Sequence, residues 1–251
     1  MRWLFLLTLF CLAILGLLSR YAESATLQVA PVTLNLNPHQ RAAALYLTNT
    51  GDTPIHAQVR IYDWTQDDGK DVLTLTDDIV SSPAVASLEP GQQQLVRIVV
   101  LNPGLHAHEQ SFRLQIDELP GLSAAGASHT GVHFLLRYSI PLFIAAEHNA
   151  ALDDISQLAC AQQEKDIWCQ NRGTSHIRLS NVQALANDGR PIETLPGLAG
   201  YVLAGQRFML PFKRDHRRLL SALRAFLNEN TEASLLKVHP AAVATAHDTP
   251  R

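Results

Sequence analysis

Histidines, cysteines and adjacent aspartates are the residues of this chain whose types could support chemistry. His106 and His108, one residue apart beside Pro103 and Gly104, could share a metal ion. Zinc takes about four ligands, however, and no further His or Cys stands at a suitable spacing. Asp67-Asp68, Asp77-Asp78 and Asp153-Asp154 are adjacent pairs near turns. Calcium wants about six to eight oxygens, more than such a pair supplies. Ser128-His129 sets a hydroxyl beside an imidazole, but within the Gly- and Ala-rich run GLSAAGASHTG. A flexible run of that kind suits a connector between strands rather than the rigid cradle a nucleophile needs. GxSxG, HExxH, phosphate-loop and dinucleotide fingerprints do not occur. The expectation is no catalytic residue, no metal and no cofactor.

Cys160 and Cys169 are separated by the polar, turn-like AQQEKDIW. They read as a disulfide stapling the two arms of a hairpin, the alternative being a two-ligand metal site without further ligands. A disulfide needs an oxidising compartment, and the N-terminus provides the route to one. Met1-Arg2 gives a positive start, Trp3 to Leu18 is uncharged and apolar, and Ala22 and Ser24 form a small-x-small pair. That is the layout of a secretory signal over residues 1–24, shorter than the roughly 20 apolar residues of a membrane span. No stable membrane insertion is expected after its cleavage, and a formal net charge of -3 argues against a nucleic-acid binder.

The elements that must carry these residues are strands. Leu45/Leu47, Val59/Ile61, Val96/Ile98/Val100 and Phe112/Leu114/Ile116 are apolar at alternate positions, with turn signals such as Asn49-Thr50-Gly51-Asp52, Asp67-Asp68-Gly69-Lys70 and Glu89-Pro90-Gly91 between the runs. Such spacing predicts antiparallel sandwiches of immunoglobulin type. In the opening strand Leu27 and Val29 are apolar at odd positions, Val32, Leu34 and Leu36 at even ones, and Pro31 stands at the change of phase. A phase change swaps the buried face, so this strand is expected to leave one sheet and join the other. The pattern breaks at AAEHNA, placing a boundary near residue 146. The expected organisation is a signal over 1–24, one sandwich over 25–146, a second over 147–240, and a disordered tail over 241–251, with no internal repeat. Arg214 to Leu227 has helical spacing at Leu219, Leu220, Leu223 and Phe226, which leaves that stretch open.

One stretch does not suit a simple sandwich. Val132, Phe134, Leu136, Tyr138, Ile140, Leu142 and Ile144 are apolar at alternate positions across thirteen residues. At about 3.3 Å per residue this is a strand of about 40 Å, against a usual five or six residues. Part of it is expected to project along an edge, leaving Val132, Phe134 and Leu136 without a partner in their own domain. Such an edge invites another chain to add a strand. The competing reading is a long strand bent at Pro141 and used wholly within its own core.

Ser82-Pro83, Leu88-Glu89-Pro90-Gly91 and Gln94-Leu95-Val96-Arg97-Ile98, followed by Phe112 to Pro120 (FRLQIDELP), resemble the signature of periplasmic chaperones from chaperone–usher pilus systems. Leu135 to Phe143 (LLRYSIPLF) is most similar to the archaic branch, which serves Csu-like and spore-coat-U-like pili. The resemblance spans about residues 26–212. It implies two immunoglobulin-like β-sandwich domains in a boomerang, an all-β periplasmic protein, pilin subunits and an outer-membrane usher as partners, and a subunit-binding donor strand at Val132, Phe134, Leu136 and Tyr138. Self-association through that edge is left open. In the family, basic residues in the first strand and late in the donor strand hold the subunit's terminal carboxylate, but Thr33 and Pro141 occupy those positions here. Arg97, Arg113 and Arg137 are then the candidate carboxylate anchors, since a guanidinium fork can grip a carboxylate with two bonds. Glu109 falls at the acidic position of a domain-linking ion pair, whose arginine is replaced by Ala145. Two rival readings remain: a generic secreted module of tandem immunoglobulin-like domains, and an enzyme assembled from scattered His and Asp.

Overall fold

The computed structural model describes residue 3 and residues 27–120, 135–147, 155–213 and 220–240. The rest of the expected secretion signal, Val132, Phe134, the loop around Ser128-His129 and the tail after Pro240 lie outside the described residues. Strands of the first unit are β1 (Leu27–Ala30), β2 (Leu34–Leu36), β3 (Ala42–Asn49), β4 (Ile55–Asp67), β5 (Lys70–Leu75), β6 (Ile79–Ser82), β7 (Val85–Leu88), β8 (Gln93–Val100), β9 (Gln110–Leu119) and β10 (Arg137–Ile144). They form two sheets, ordered β1-β3-β8-β6 and β2-β10-β9-β4-β5, with β7 paired to β4. Alternation explains the layering. Leu45 and Leu47, Val96 and Ile98, Leu114 and Ile116 are all fully buried and meet between the two sheets.

The phase change at Pro31 does what the pattern predicts. β1 pairs with β3 in the four-stranded sheet, and β2 pairs with β10 in the six-stranded one. The sandwich is therefore sewn across its open side by one chain segment.

The second unit comprises β11 (Leu158–Gln163), β12 (Asp166–Asn171), β13 (Ile177–Leu185), β14 (Pro191–Val202), β15 (Arg207–Met209), β16 (Ala222–Leu227) and β17 (Ala233–Pro240), preceded by a 3₁₀ turn at Ile155–Gln157. Their order is β14-β13-β16-β17-β11-β12-β15, with β17 antiparallel to β16 and parallel to β11. A separate core of Ile167, Leu179, Val182, Leu223 and Leu227 fills it. The stretch left open between helix and strand is strand over Ala222–Leu227. Its middle position in the sheet buries residues on both faces, which erases the strand period.

Cys160 and Cys169 are directly opposed in the β11–β12 hairpin and joined by a disulfide. A small duplication also emerges that the sequence reading missed. Asn49 and Asn171 each open an Asn-x-Gly loop, and both are fully buried. Each side-chain amide donates to two backbone carbonyls, Thr53 and Leu88 for Asn49, Ser175 and Val202 for Asn171. Each amide oxygen accepts from the glycine two residues on. The two loops solve the same problem, saturating buried backbone groups with one side chain.

Candidate functional site

β10 is the strand to which the sequence points. Of the thirteen-residue strand expected over 132–144, the described part is strand from Arg137, with Leu135 and Leu136 outside it, and the thirteen-residue strand among the described elements is β4. β10 pairs with β9 along its whole length, from Arg137 opposite Asp117 to Ile144 opposite Gln110. On its other side β2 covers only Leu142–Ile144. Arg137 to Pro141 has no strand partner on that side among the described residues. The backbone phase is set by Glu118 N–H donating to the Leu136 carbonyl at 2.9 Å and Ala145 N–H donating to the Leu36 carbonyl at 2.9 Å. Even-numbered residues therefore bond to β9, while Arg137, Ser139 and Pro141 turn their backbone groups outward. Pro141 lacks an N–H, so this row ends in an acceptor without a donor.

Side chains of β10 diverge from expectation in part. Leu136 and Tyr138 were expected to lie bare for a partner, yet both are half-buried against their own core. The Tyr138 hydroxyl donates to the Leu27 carbonyl at 2.5 Å, which ties β10 to β1. A phenol that finds a buried acceptor is held by its own sandwich.

The three candidate anchor arginines are not brought together. Arg97 is exposed on the outer face of the four-stranded sheet, level with Ala44 and Ser82 and on the far side of the sandwich from β10. Arg137 is engaged: Asp117 Oδ1 accepts from its Nε, and Asp117 Oδ2 accepts from Arg60 at 2.5 Å. Arg113 makes no ion pair among the described residues. Its guanidinium lies 3.6 Å from the Trp64 ring centroid and 5.3 Å from that of Tyr201. Burial lowers its pKa from the ordinary arginine value, with the fields of Asp71 and Tyr201 pulling the other way. It remains a cation, stacked on aromatic faces with no ion pair taking up its fork among the described residues. Register places it between Pro141 and Tyr62, and Tyr62 opposite Leu75. The row Leu75–Tyr62–Arg113–Pro141 thus runs across four strands to the uncovered edge.

Asp117 carries a testable consequence. Burial raises its pKa, but hydrogen bonds from Arg60 and Arg137 outweigh this and leave it below the ordinary carboxylate value. A depressed carboxylate stabilises the fold above the ordinary carboxylate range and loses that contribution as pH falls through its own lower value. Its partners are both partly exposed, so the effect is modest. Asp117→Asn is expected to destabilise by about 1–2 kcal/mol at pH 7. Urea unfolding from pH 7 down into the acid range checks this, with the gap between variant and wild type narrowing as pH falls below the ordinary carboxylate range.

At the domain junction a histidine stands in for the arginine that Ala145 replaces. Glu109, nearly fully buried, accepts from His176 N at 3.0 Å and meets His176 Nδ1 at 2.7 Å. The His176 ring stacks on Phe143 at 3.6 Å. Trp64, Phe143, Tyr201 and Leu203 form a third buried cluster beside it. None of the pairings in this junction is local, and composition gave no sign of them.

No curated protein matches the sequence. In fold the chain is similar to a chain of the CsuC–CsuE chaperone–tip adhesion subunit pre-assembly complex from archaic chaperone–usher Csu pili of Acinetobacter baumannii, at 24% identity and TM-score 0.66, covering 87% of this chain and 100% of that one. It is also similar to the Pseudomonas aeruginosa CupB2 chaperone, at 20% identity and TM-score 0.60, covering 84% and 100%. A chain of the Salmonella enterica SafA pilin–SafB chaperone complex matches at 16% identity and TM-score 0.60, covering 86% and 97%. Residues 26–148, which hold the open edge and all three candidate arginines, match the family described as pili and flagellar-assembly chaperone, PapD N-terminal domain. Residues 26–148 thus form an N-terminal domain of the pili and flagellar-assembly chaperones, a family of non-enzymatic assembly factors.

Proposed function

We propose that this chain is a periplasmic chaperone that takes up pilin subunits by donor-strand addition and passes them to an outer-membrane usher. The observation that carries the reading is that, among the described residues, the outer side of Arg137–Pro141 has no strand partner and ends level with an arginine that has no carboxylate partner. An incoming strand running parallel to β10, as β2 does, would meet the start of β2 end to end, level with Arg113 one strand behind β10. Val132, Phe134 and Leu136 would fill the subunit's apolar groove, while Tyr138 serves its own sandwich. Arg113 would hold the subunit's terminal carboxylate. The LLRYSIPLF motif and the fold likeness to the Csu complex favour the archaic branch. No helix among the described residues is long and apolar enough to cross a membrane. Residues 25–146 and 147–240 serve as the two domains of this reading.

Co-expression with a pilin tests it. A pilin lacking its last strand is expected to co-purify with the chain, and the same pilin with that strand supplied at its own chain end is not. Equal capture of both would favour a generic immunoglobulin-like binding module. Within the complex, Arg113→Ala is expected to weaken binding by about 10- to 100-fold, because one charge-assisted bond is lost and a carboxylate is left unpaired. Titration calorimetry with a free-acid peptide copying a pilin's C-terminal strand measures this.

A further inference from the structure

β4 and β5 reach beyond their own sandwich. At about 3.3 Å per residue the thirteen residues of β4 span about 40 Å. The connection at its end is a two-residue turn, Asp68 and Gly69, with φ values of 46° and 71°. Both residues are left-handed, as a tight hairpin of matching twist requires. That tip rests on the second unit. Gly69 O accepts from Met209 N at 2.9 Å. A Cβ at Gly69 would stand 2.4 Å from the Trp168 ring and 2.8 Å from Met209 Cβ, so glycine is demanded by space as well as by φ. Arg207 approaches Asp68 at 3.8 Å.

Three residues back from the tip, Gln66 makes the most specific contact. Its Nε2 donates to the Tyr201 carbonyl at 2.7 Å and its Oε1 accepts from Leu203 N at 3.1 Å. The side-chain amide thus satisfies the two backbone groups flanking Val202 as a neighbouring strand would. Gln66 Nε2 also donates to Asp71 Oδ1 at 2.9 Å, and Gln66 N donates to Gln206 Oε1. The amide has its two donors and one of its acceptor sites committed, which fixes its orientation. The segment it grips carries Tyr201, whose ring stands edge-on to Trp64 at 5.3 Å and 82° and lies 5.3 Å from the Arg113 guanidinium carbon.

We infer that Gln66 is a positioning residue for the carboxylate anchor: by acting as a one-amide strand for Tyr201–Leu203, it holds the second domain's aromatic wall against Arg113. This inference rests on the reading of Arg113 as the anchor. Tyr201 and Trp64 together confine the guanidinium, and a confined fork meets a carboxylate at less ordering cost than a mobile one. Without Gln66 the wall can withdraw and Arg113 can swing away from the end of the β10 edge. Arg113 is still present in that state, so what is lost is discrimination and not charge.

Selectivity for the carboxylate reads this directly. The probes are two peptides copying the C-terminal strand of an archaic-branch pilin, one a free acid and one a C-terminal amide, measured by calorimetry on the full mature chain. Wild type is expected to favour the free acid by about tenfold or more. Gln66→Met, near-isosteric but unable to bond either backbone group, is expected to bring the two affinities within about twofold while leaving the amide's affinity unchanged. A purely structural role would weaken both peptides together. Full selectivity in folded Gln66→Met overturns the inference. Should that variant fail to fold, Tyr201→Leu decides the matter, because retained selectivity without the aromatic wall is equally fatal. Wild type showing no selectivity removes the anchor reading itself, and this inference with it.

Discussion

A chain carrying Phe134→Asp and Leu136→Asp is expected to fold, to keep its disulfide, and to hold pilin at least about a thousandfold more weakly than wild type. The magnitude follows from transfer. Burying a Leu or Phe side chain contributes about 1.5–3 kcal/mol each, so losing both removes about 3–6 kcal/mol of complex stability. Each new carboxylate must also leave water to enter an apolar groove. A thousandfold is about 4 kcal/mol, which lies within this range. Leu136 is half-buried in its own sandwich, so some loss of stability is expected as well. Thermal unfolding of the free variant separates the two effects. Its midpoint is expected to move by a few degrees only, while pilin co-purification disappears. A folded double variant that still captured pilin would place subunit binding somewhere other than the β10 edge.

The features legible in the sequence were those with a local cause. Pro31 marked the change of phase that splits β1 from β2, and period alone predicted the change of sheet. Cys160 and Cys169 bracketed a turn, and they are opposed in a hairpin. Asp68-Gly69 announced the turn that closes β4 and β5. In each case the signal and its consequence lie within a few residues.

What was missed is non-local. The alternation of β4 follows its own core through Ile61, then Trp64 is buried on the opposite face. Nothing near Trp64 says that the second domain covers it, since Tyr201 and Leu203 lie far along the chain. The same holds for Glu109, whose family arginine is replaced by Ala145 and whose partner is His176. Period likewise gave β10 its inward and outward residues, but it could not say whether Leu136 and Tyr138 pack at home or abroad. Among the anchor candidates, residue type treated Arg97, Arg113 and Arg137 alike. Sheet membership separates Arg97, and Asp117 occupies Arg137.

Trp64→Ala is expected to cost about 3–5 kcal/mol, the range for removing a fully buried Trp side chain. The loss should fall on the coupling between the domains. Trp64 packs against Phe143 of its own domain and against Tyr201 of the second, with centroids 5.9 and 5.3 Å away, and it forms the platform under Arg113. Each domain retains its own core when this cluster is emptied. Scanning calorimetry is therefore expected to show one cooperative transition in wild type and two in the variant, with the lower midpoint reduced by about 6–20 °C. Trp64→Phe keeps most of the apolar area, and it removes an indole N–H that has no partner among the described residues. It should recover most of the loss, to within about 1.5 kcal/mol of wild type. A single unshifted transition for Trp64→Ala would mean that the aromatic cluster does not couple the domains. The polar contacts of Glu109, Gln66 and the β4–β5 tip with the second domain would then have to carry that coupling.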